Sequence, residues 1–164
     1  MTTDALQPTS TARSAVHSTF TYQRRYPHAP AAVWHALTDA TAMRDWYFAD
    51  QAGLAIDEIV SRAEVGERQR IVGRFTDGTP FELRATFTDV VPQERLVATY
   101  EVQIGGAHVS SSISTAELAA DGDGTELRFV DQSTHLDGHE DPAQRERGWH
   151  GLLDALGTSL DRRA

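Results

Sequence analysis

From Arg68 to Gln132 the chain alternates apolar and polar residues in one segment after another. Gln69, Ile71, Gly73 and Phe75 share one parity, and Arg68, Arg70, Val72 and Arg74 share the other. Phe81, Leu83, Ala85 and Phe87 alternate with Glu82, Arg84, Thr86 and Thr88, and Leu96, Ala98, Tyr100, Val102 and Ile104 alternate with more polar neighbours. A period of two with one apolar face is the signature of a half-buried strand. The segments are punctuated by Asp77-Gly78-Thr79-Pro80, Gly105-Gly106 and Asp121-Gly122-Asp123-Gly124, which suit hairpin turns. Two further strands are expected at His108 to Leu118 and at Thr125 to Gln132. Such a meander must cover its apolar face, and only one element of the sequence is large enough to do so.

That element is a C-terminal helix. Asp141 caps it, Pro142 takes the first helical position, and Gln144 occupies the place of a reciprocal capping partner. Trp149, Leu152, Leu153, Leu156 and Leu160 form an apolar stripe at helical spacing, and Trp149 is expected to be largely buried. Gly148, Gly151 and Gly157 each cost a helix about 1 kcal/mol against alanine, so the helix either approaches another backbone or leaves space beside it.

Before the meander, Ser18 to Tyr26 reads as an edge strand with Phe20, Tyr22 and Tyr26 on one face and Arg24 breaking the pattern. Pro27 and Pro30 lead into a short helix carrying Val33, Ala36 and Leu37, and Thr38 or Asp39 caps a second that reaches Trp46. Residues 51 to 66 show no clear pattern. In the hairpin around Gly78, a register pairing Phe75 with Phe81 would also set Arg74 against Glu82. The expected fold is α+β: a curved antiparallel sheet of six to seven strands wrapped on a long C-terminal helix, with two short helices after the first strand. Residues 1–15 are expected to be a disordered tail and 16–164 a single domain.

Several functions are disfavoured on composition. The 164 residues are enough for one substantial core, and no apolar run approaches the roughly 18 residues of a membrane span. The formal net charge is −9 with no compensating Lys/Arg cluster, which speaks against nucleic acid and against anionic membrane surfaces. There is no cysteine, which removes thiolate chemistry and fits a cytoplasmic location. The Asp77-Gly78-Thr79 turn has no lysine and no following helix, so it is no phosphate cradle, and no cofactor is expected.

Certain segments resemble a known family. They are Tyr26-Pro27 with Val33-Trp34 and Ala36-Leu37-Thr38-Asp39, then Trp46 and Phe48, Val91 to Val97, and Gly124-Thr125-Glu126-Leu127. The most specific is Leu136-Asp137-Gly138 followed by Arg145-Glu146 and Gly148 to Leu156. From His17 to about Leu160 the chain resembles the family named for the activator of the heat-shock protein 90 ATPase. That family belongs to the helix-grip superfamily of the birch-pollen allergen, START domains and polyketide cyclases. The resemblance implies a helix-grip fold; its relatives bind, transport or transform quite different molecules. His135 stands where the family usually has an aromatic residue, which changes that lip of the expected cavity.

Candidate site residues follow from parity. Trp46, Phe48, Phe75, Phe81, Phe87, Tyr100, Phe129 and Trp149, with Leu153 and Ser112, are candidates to line an apolar cavity between sheet and helix. Small residues on the same faces (Ala85, Ala98, Ala116) would leave room in it. Asp131 has inward parity and would have its pKa raised if shielded, although a solvated place at the strand end is the simpler expectation. With His108 and Tyr100 it completes the candidates for proton transfer. The run His135, Asp137, His139, Glu140 and Asp141 matches no metal-binding spacing and is expected to be a solvated loop. The serines of 110–114 lack a nucleophile elbow. The expected function is binding of a small hydrophobic or aromatic molecule by a monomer or homodimer. A cyclase- or lyase-like enzyme and a chaperone-interacting module are the alternatives.

Overall fold

A computed structural model describes residues 12–48 and 53–164. The elements are β1 (Ala15–Tyr26), α1 (Pro30–Thr38), α2 (Ala40–Met43), β2 (Leu54–Ser61), β3 (Arg68–Phe75), β4 (Pro80–Val91), β5 (Arg95–Ile104), β6 (Ala107–Asp121), β7 (Gly124–Leu136) and α3 (Pro142–Arg163). The seven strands form one antiparallel sheet in the order β1-β7-β6-β5-β4-β3-β2, with α3 against its inner face. This is the α+β helix-grip architecture. Residues 1–11 of the expected tail lie outside the described residues. No helix among the described residues is long and apolar enough to cross a membrane.

The parities read from the sequence locate the core. Ile71, Leu83, Phe87, Tyr100, Val102, Leu127 and Phe129 are all buried, and α3 sets Leu152, Leu153, Leu156 and Leu160 against them. Asp39 caps α2, its carboxylate accepting from the Ala42 amide at 2.9 Å. Asp141 caps α3 by accepting from the Ala143 amide at 2.9 Å, while the Gln144 side chain makes no return bond to the cap among the described residues.

Arg24 interrupts the apolar parity of β1 because this edge strand reaches across to α3. Its guanidinium lies 5.2 Å from the Tyr26 ring centroid and donates to Asp154 at 2.6 Å. Gly157 makes the space, since a Cβ there would stand 2.9 Å from Arg24 Nη2 and 3.1 Å from Tyr26 Cε1. Of the other helix glycines, Gly148 faces open space and Gly151 is exposed. Gly157 marks a close approach and Gly148 does not.

Two expectations need correction. Residues 54–61, which showed no pattern, form β2. A bulge between Ile56 and Glu58 inserts Asp57 and shifts the phase, so the inward residues Leu54, Ile56 and Ile59 do not alternate cleanly. Gly73 lies opposite that irregularity, and a Cβ there would stand 2.5 Å from the Ala55 carbonyl oxygen. The β3–β4 register is also two residues away from a Phe75–Phe81 pair, with Gly73 opposite Phe81 and Arg74 opposite Pro80. The turn is tighter than that register would make it, closed around Thr76, Asp77 and Gly78 by the Phe75 amide donating to the Thr79 carbonyl at 2.9 Å. A slip of two preserves every face, so Phe75 and Phe81 still meet edge to face at 6.3 Å. The charges pair differently. Glu82 accepts from Arg70 at 2.6 Å and Arg84 at 2.9 Å, and Arg74 turns to Asp57 at 3.4 Å.

Candidate functional site

A cleft of about 310 Å³ opens between the first half of α3, the inner face of β3–β5 and the residues flanking β2. Phe48, Phe75, Phe81, Leu83, Val102 and Ile104 make its apolar walls, and Tyr47 and Trp149 close it toward α3. Phe48 holds a φ of 55° while its ring packs on Tyr47 at 4.9 Å and on Phe81 at 5.7 Å. A bulky side chain in the left-handed region costs on the order of 1–3 kcal/mol. That strain is tolerated here because the ring is fixed on the cleft wall.

At one end the cleft meets Tyr100, Glu140, Gln144 and Arg145. Behind Tyr100 lies a buried polar cluster. The Tyr100 hydroxyl donates to Asp131 and accepts from Arg145 Nη1 at 3.1 Å and Trp149 Nε1 at 3.2 Å. Ser133 donates to the other Asp131 oxygen at 2.5 Å and bonds Ser112 at 2.8 Å. Arg145 spans the cluster: its guanidinium donates to Ser110 at 2.7 Å, to Ser112 at 3.4 Å, and twice to Glu140 at 3.0 and 2.6 Å. His135, 2% exposed, bridges Ser18 at 2.9 Å and Glu140 at 3.1 Å.

The electrostatics follow from burial and pairing. Desolvation raises the Asp131 pKa, opposed by the bonds from Ser133 and Tyr100 and by the charge of Arg145. Burial also pushes the Tyr100 phenol well up, with the Asp131 charge adding to it, so Tyr100 stays protonated. Burial works against the Arg145 charge, but Tyr100, Glu140 and Asp131 around it outweigh that and raise its pKa. The Tyr47 phenol is raised by burial, with smaller influences from Tyr100 and Arg145.

The site residues expected from the sequence divide into three groups. Phe48, Phe75, Phe81, Tyr100 and Trp149 line the cleft. Trp149 is half-buried rather than fully packed, because one side of its ring faces that space. Trp46, Phe87, Phe129 and Leu153 are core: Trp46 donates to the Ala36 carbonyl at 2.9 Å, and Phe129 supports Trp149 at 4.5 Å. Ser112 belongs to the polar cluster. Ala85, Ala98 and Ala116 are buried but lie off the cleft wall, so they do not create its volume. Asp131 is not a solvated strand end. β7 runs on to Leu136, which places Asp131 mid-strand opposite Phe20 and Ser114 with no exposure. His108 lies apart from it, exposed, bonded to the Ser110 carbonyl at 3.0 Å and Ser111 at 3.1 Å.

The loop expected to be solvated contributes two members to the cluster, His135 and Glu140. Among the described residues no group of three His, Asp or Glu side chains is placed to hold a metal ion. Arg145 was missed in the sequence, although its spacing signals it. It stands four residues before Trp149 and seven before Leu152, so a charge sits on the apolar stripe of α3 and requires a buried partner. A second, larger hollow crosses the opposite face of the sheet, beside Arg70, Arg84, Thr99, Glu101, Ser111 and Gln132. It is an open polar surface without the enclosing helix.

Residues 27–161 match the family model described as Activator of Hsp90 ATPase homolog 1-like protein. The chain belongs to this family. Its solved relatives include a crystal structure of the Mll3558 protein from Rhizobium loti, 36% identical, covering 89% of this chain and 99% of that one with a TM-score of 0.80. A putative uncharacterized protein from Rhizobium leguminosarum is 30% identical, covers 92% and 99%, and superposes with a TM-score of 0.82. The solution structure of the AHSA1-like protein from Aeromonas hydrophila shares the fold at 21% identity, 89% and 94% coverage and a TM-score of 0.66. No curated protein matches the chain.

Proposed function

We propose that this protein binds a small hydrophobic or aromatic molecule in the cleft between the sheet and α3. The observation that carries the reading is the cleft itself: about 310 Å³ of space walled by aromatic rings at the edge of the apolar core. Native interiors normally close such space. The volume falls at the lower bound of small-molecule sites and is about twice the ~150 Å³ that accommodates benzene. The strained Phe48 on its wall supports the same reading.

Binding is favoured over a cyclase- or lyase-like reaction by the state of the polar cluster. Tyr100 donates one hydrogen bond and accepts two, so it has no free lone pair for a substrate, and Asp131 lies behind it, off the cleft wall. A chaperone-interacting module working through the protein surface is the reading that remains if the cleft takes nothing. The absence of cysteine fits a cytoplasmic protein.

The test is a titration with N-phenyl-1-naphthylamine, an uncharged dye that brightens in apolar surroundings. Saturable binding at one dye per chain is expected, weakened at least tenfold by Ile104→Trp, which fills the cleft from a half-buried wall position. Absence of saturable binding, or binding indifferent to Ile104→Trp in a variant that melts normally, would overturn the proposal.

A further inference from the structure

Resting on the binding reading above, we infer that the cleft selects an uncharged ligand with a hydrogen-bond acceptor, which the Tyr47 hydroxyl recognises, and rejects carboxylates. The first observation is how completely Arg145 is occupied. A guanidinium has five N–H donors. Here Nε bonds Glu140, Nη1 bonds Tyr100 and Ser112, and Nη2 bonds Ser110 and Glu140. No donor is left for an anion entering the cleft. Nor is there a spare positive charge, because Glu140 neutralises Arg145 through a two-point pair. A carboxylate ligand would be desolvated next to Glu140 with nothing to compensate it. The arginine at the end of the cleft is a framework member, not an anion receptor.

The second observation is Tyr47. Its residue is only 4% exposed and lines the cleft, yet its hydroxyl makes no hydrogen bond among the described residues. Tyr26 donates to the Leu153 carbonyl, and Tyr22 and Tyr100 each donate to a carboxylate, so Tyr47 stands apart from the other tyrosines. A phenol with so little exposed area gains from a hydrogen-bond partner, and a ligand in the cleft can supply one. The ring is held edge-on by Trp46 at 5.2 Å, Phe48 at 4.9 Å and Trp149 at 6.4 Å, which fixes where the O–H can point. Burial keeps the phenol protonated, so it offers a donor. The complementary ligand group is a neutral acceptor such as a carbonyl or ether oxygen, on an apolar body small enough for the cleft.

Three matched probes test this by calorimetry: 2-acetylnaphthalene, its isostere 2-isopropenylnaphthalene, and 2-naphthoate. Tyr47→Phe should weaken the ketone about threefold to tenfold, the worth of one hydrogen bond, and leave the alkene within twofold. Native protein should bind the naphthoate at least tenfold more weakly than the ketone. The inference is overturned if Tyr47→Phe weakens ketone and alkene equally, or leaves both unchanged, or if naphthoate binds native protein as tightly as the ketone. The naphthoate comparison needs no variant and stands even if Tyr47→Phe folds poorly. Should all three probes fail while N-phenyl-1-naphthylamine binds, this inference alone falls; should the dye fail too, the binding reading falls with it.

Discussion

Arg145→Met removes the residue on which the polar cluster depends while keeping a long side chain on the α3 stripe. The loss is larger than that of a surface ion pair. Arg145 is 8% exposed, its partner Glu140 has a side chain 17% exposed, and the other acceptors, Ser110, Ser112 and Tyr100, are all buried. Deleting one member of a buried pair typically costs about 3–5 kcal/mol, because the survivor keeps its desolvation penalty without its partner. Glu140 retains some water contact, which pulls the expectation toward about 3 kcal/mol; the orphaned Ser110 hydroxyl pushes it back up, whereas Ser112 keeps its bond to Ser133. In a chain of this length, 3–5 kcal/mol lowers the melting temperature by roughly 6–20 °C. Urea unfolding at pH 7 gives the free energy directly, and a cycle with Glu140→Gln isolates the pair. Glu140→Gln alone should be destabilising, and the double variant should recover at least 1 kcal/mol relative to the sum of the single changes. If Arg145→Met unfolds within 1 kcal/mol of the native protein, the cluster is not the keystone described above. A double variant that is merely additive would refute the pairing with Glu140.

Two other predictions concern neighbouring parts of the fold. The Asp131 carboxyl has a pKa raised above its ordinary value of 3.8, so the native state holds this proton more tightly than the unfolded chain and stability is lost as pH rises through the folded pKa. Asp131→Asn, whose amide can still accept from Tyr100, should therefore gain stability relative to native protein as pH climbs from about 4 to 7, measured by urea midpoints; a relative loss over that range refutes the assignment. On α3, Gly148→Ala meets open space and should stabilise by up to about 1 kcal/mol, whereas Gly157→Ala drives a methyl against the immobile Tyr26 ring and should destabilise. Thermal melts that move the same way for both variants would contradict the packing of β1 on α3.

The fold was legible in the sequence because most of it follows from periodicity alone. Strands β3 to β5 and the α3 stripe announce which face is buried, and a sheet with one apolar face and one long helix has few ways to close. Where the reading failed, the cause was local. β2 escaped because the Asp57 bulge breaks the alternation on which strand recognition depends. The β3–β4 register slipped by two because parity distinguishes faces but not a shift of an even number of residues. Parity also identified Asp131 as inward, but the end of β7 was drawn too early. The strand continues through Ser133 and His135, polar residues that carry no hydrophobic signal although both are buried.

The site was harder to read for a related reason. Its apolar wall is made of residues that look like any core, and only the enclosing geometry separates Phe81, which faces the cleft, from Phe87, which packs in the interior. Its polar end is assembled from four distant places: Tyr100 on β5, the serines of β6, Asp131 to His135 on β7, and Glu140 with Arg145 at the start of α3. Each of these is unremarkable in its own segment. What the sequence does record is inconsistency, in the form of a charge on the α3 stripe and carboxyl, hydroxyl and imidazole groups at inward positions of one strand. Buried polar groups require partners, so several of them at inward positions imply a cluster even before its members can be paired. Asp131, Ser133 and His135 from β7, Ser112 from β6 and Arg145 from α3 are five such positions. The count of hydrogen bonds then separates the two tyrosines at the cleft: Tyr100 is consumed by the cluster, and the Tyr47 hydroxyl makes no bond among the described residues.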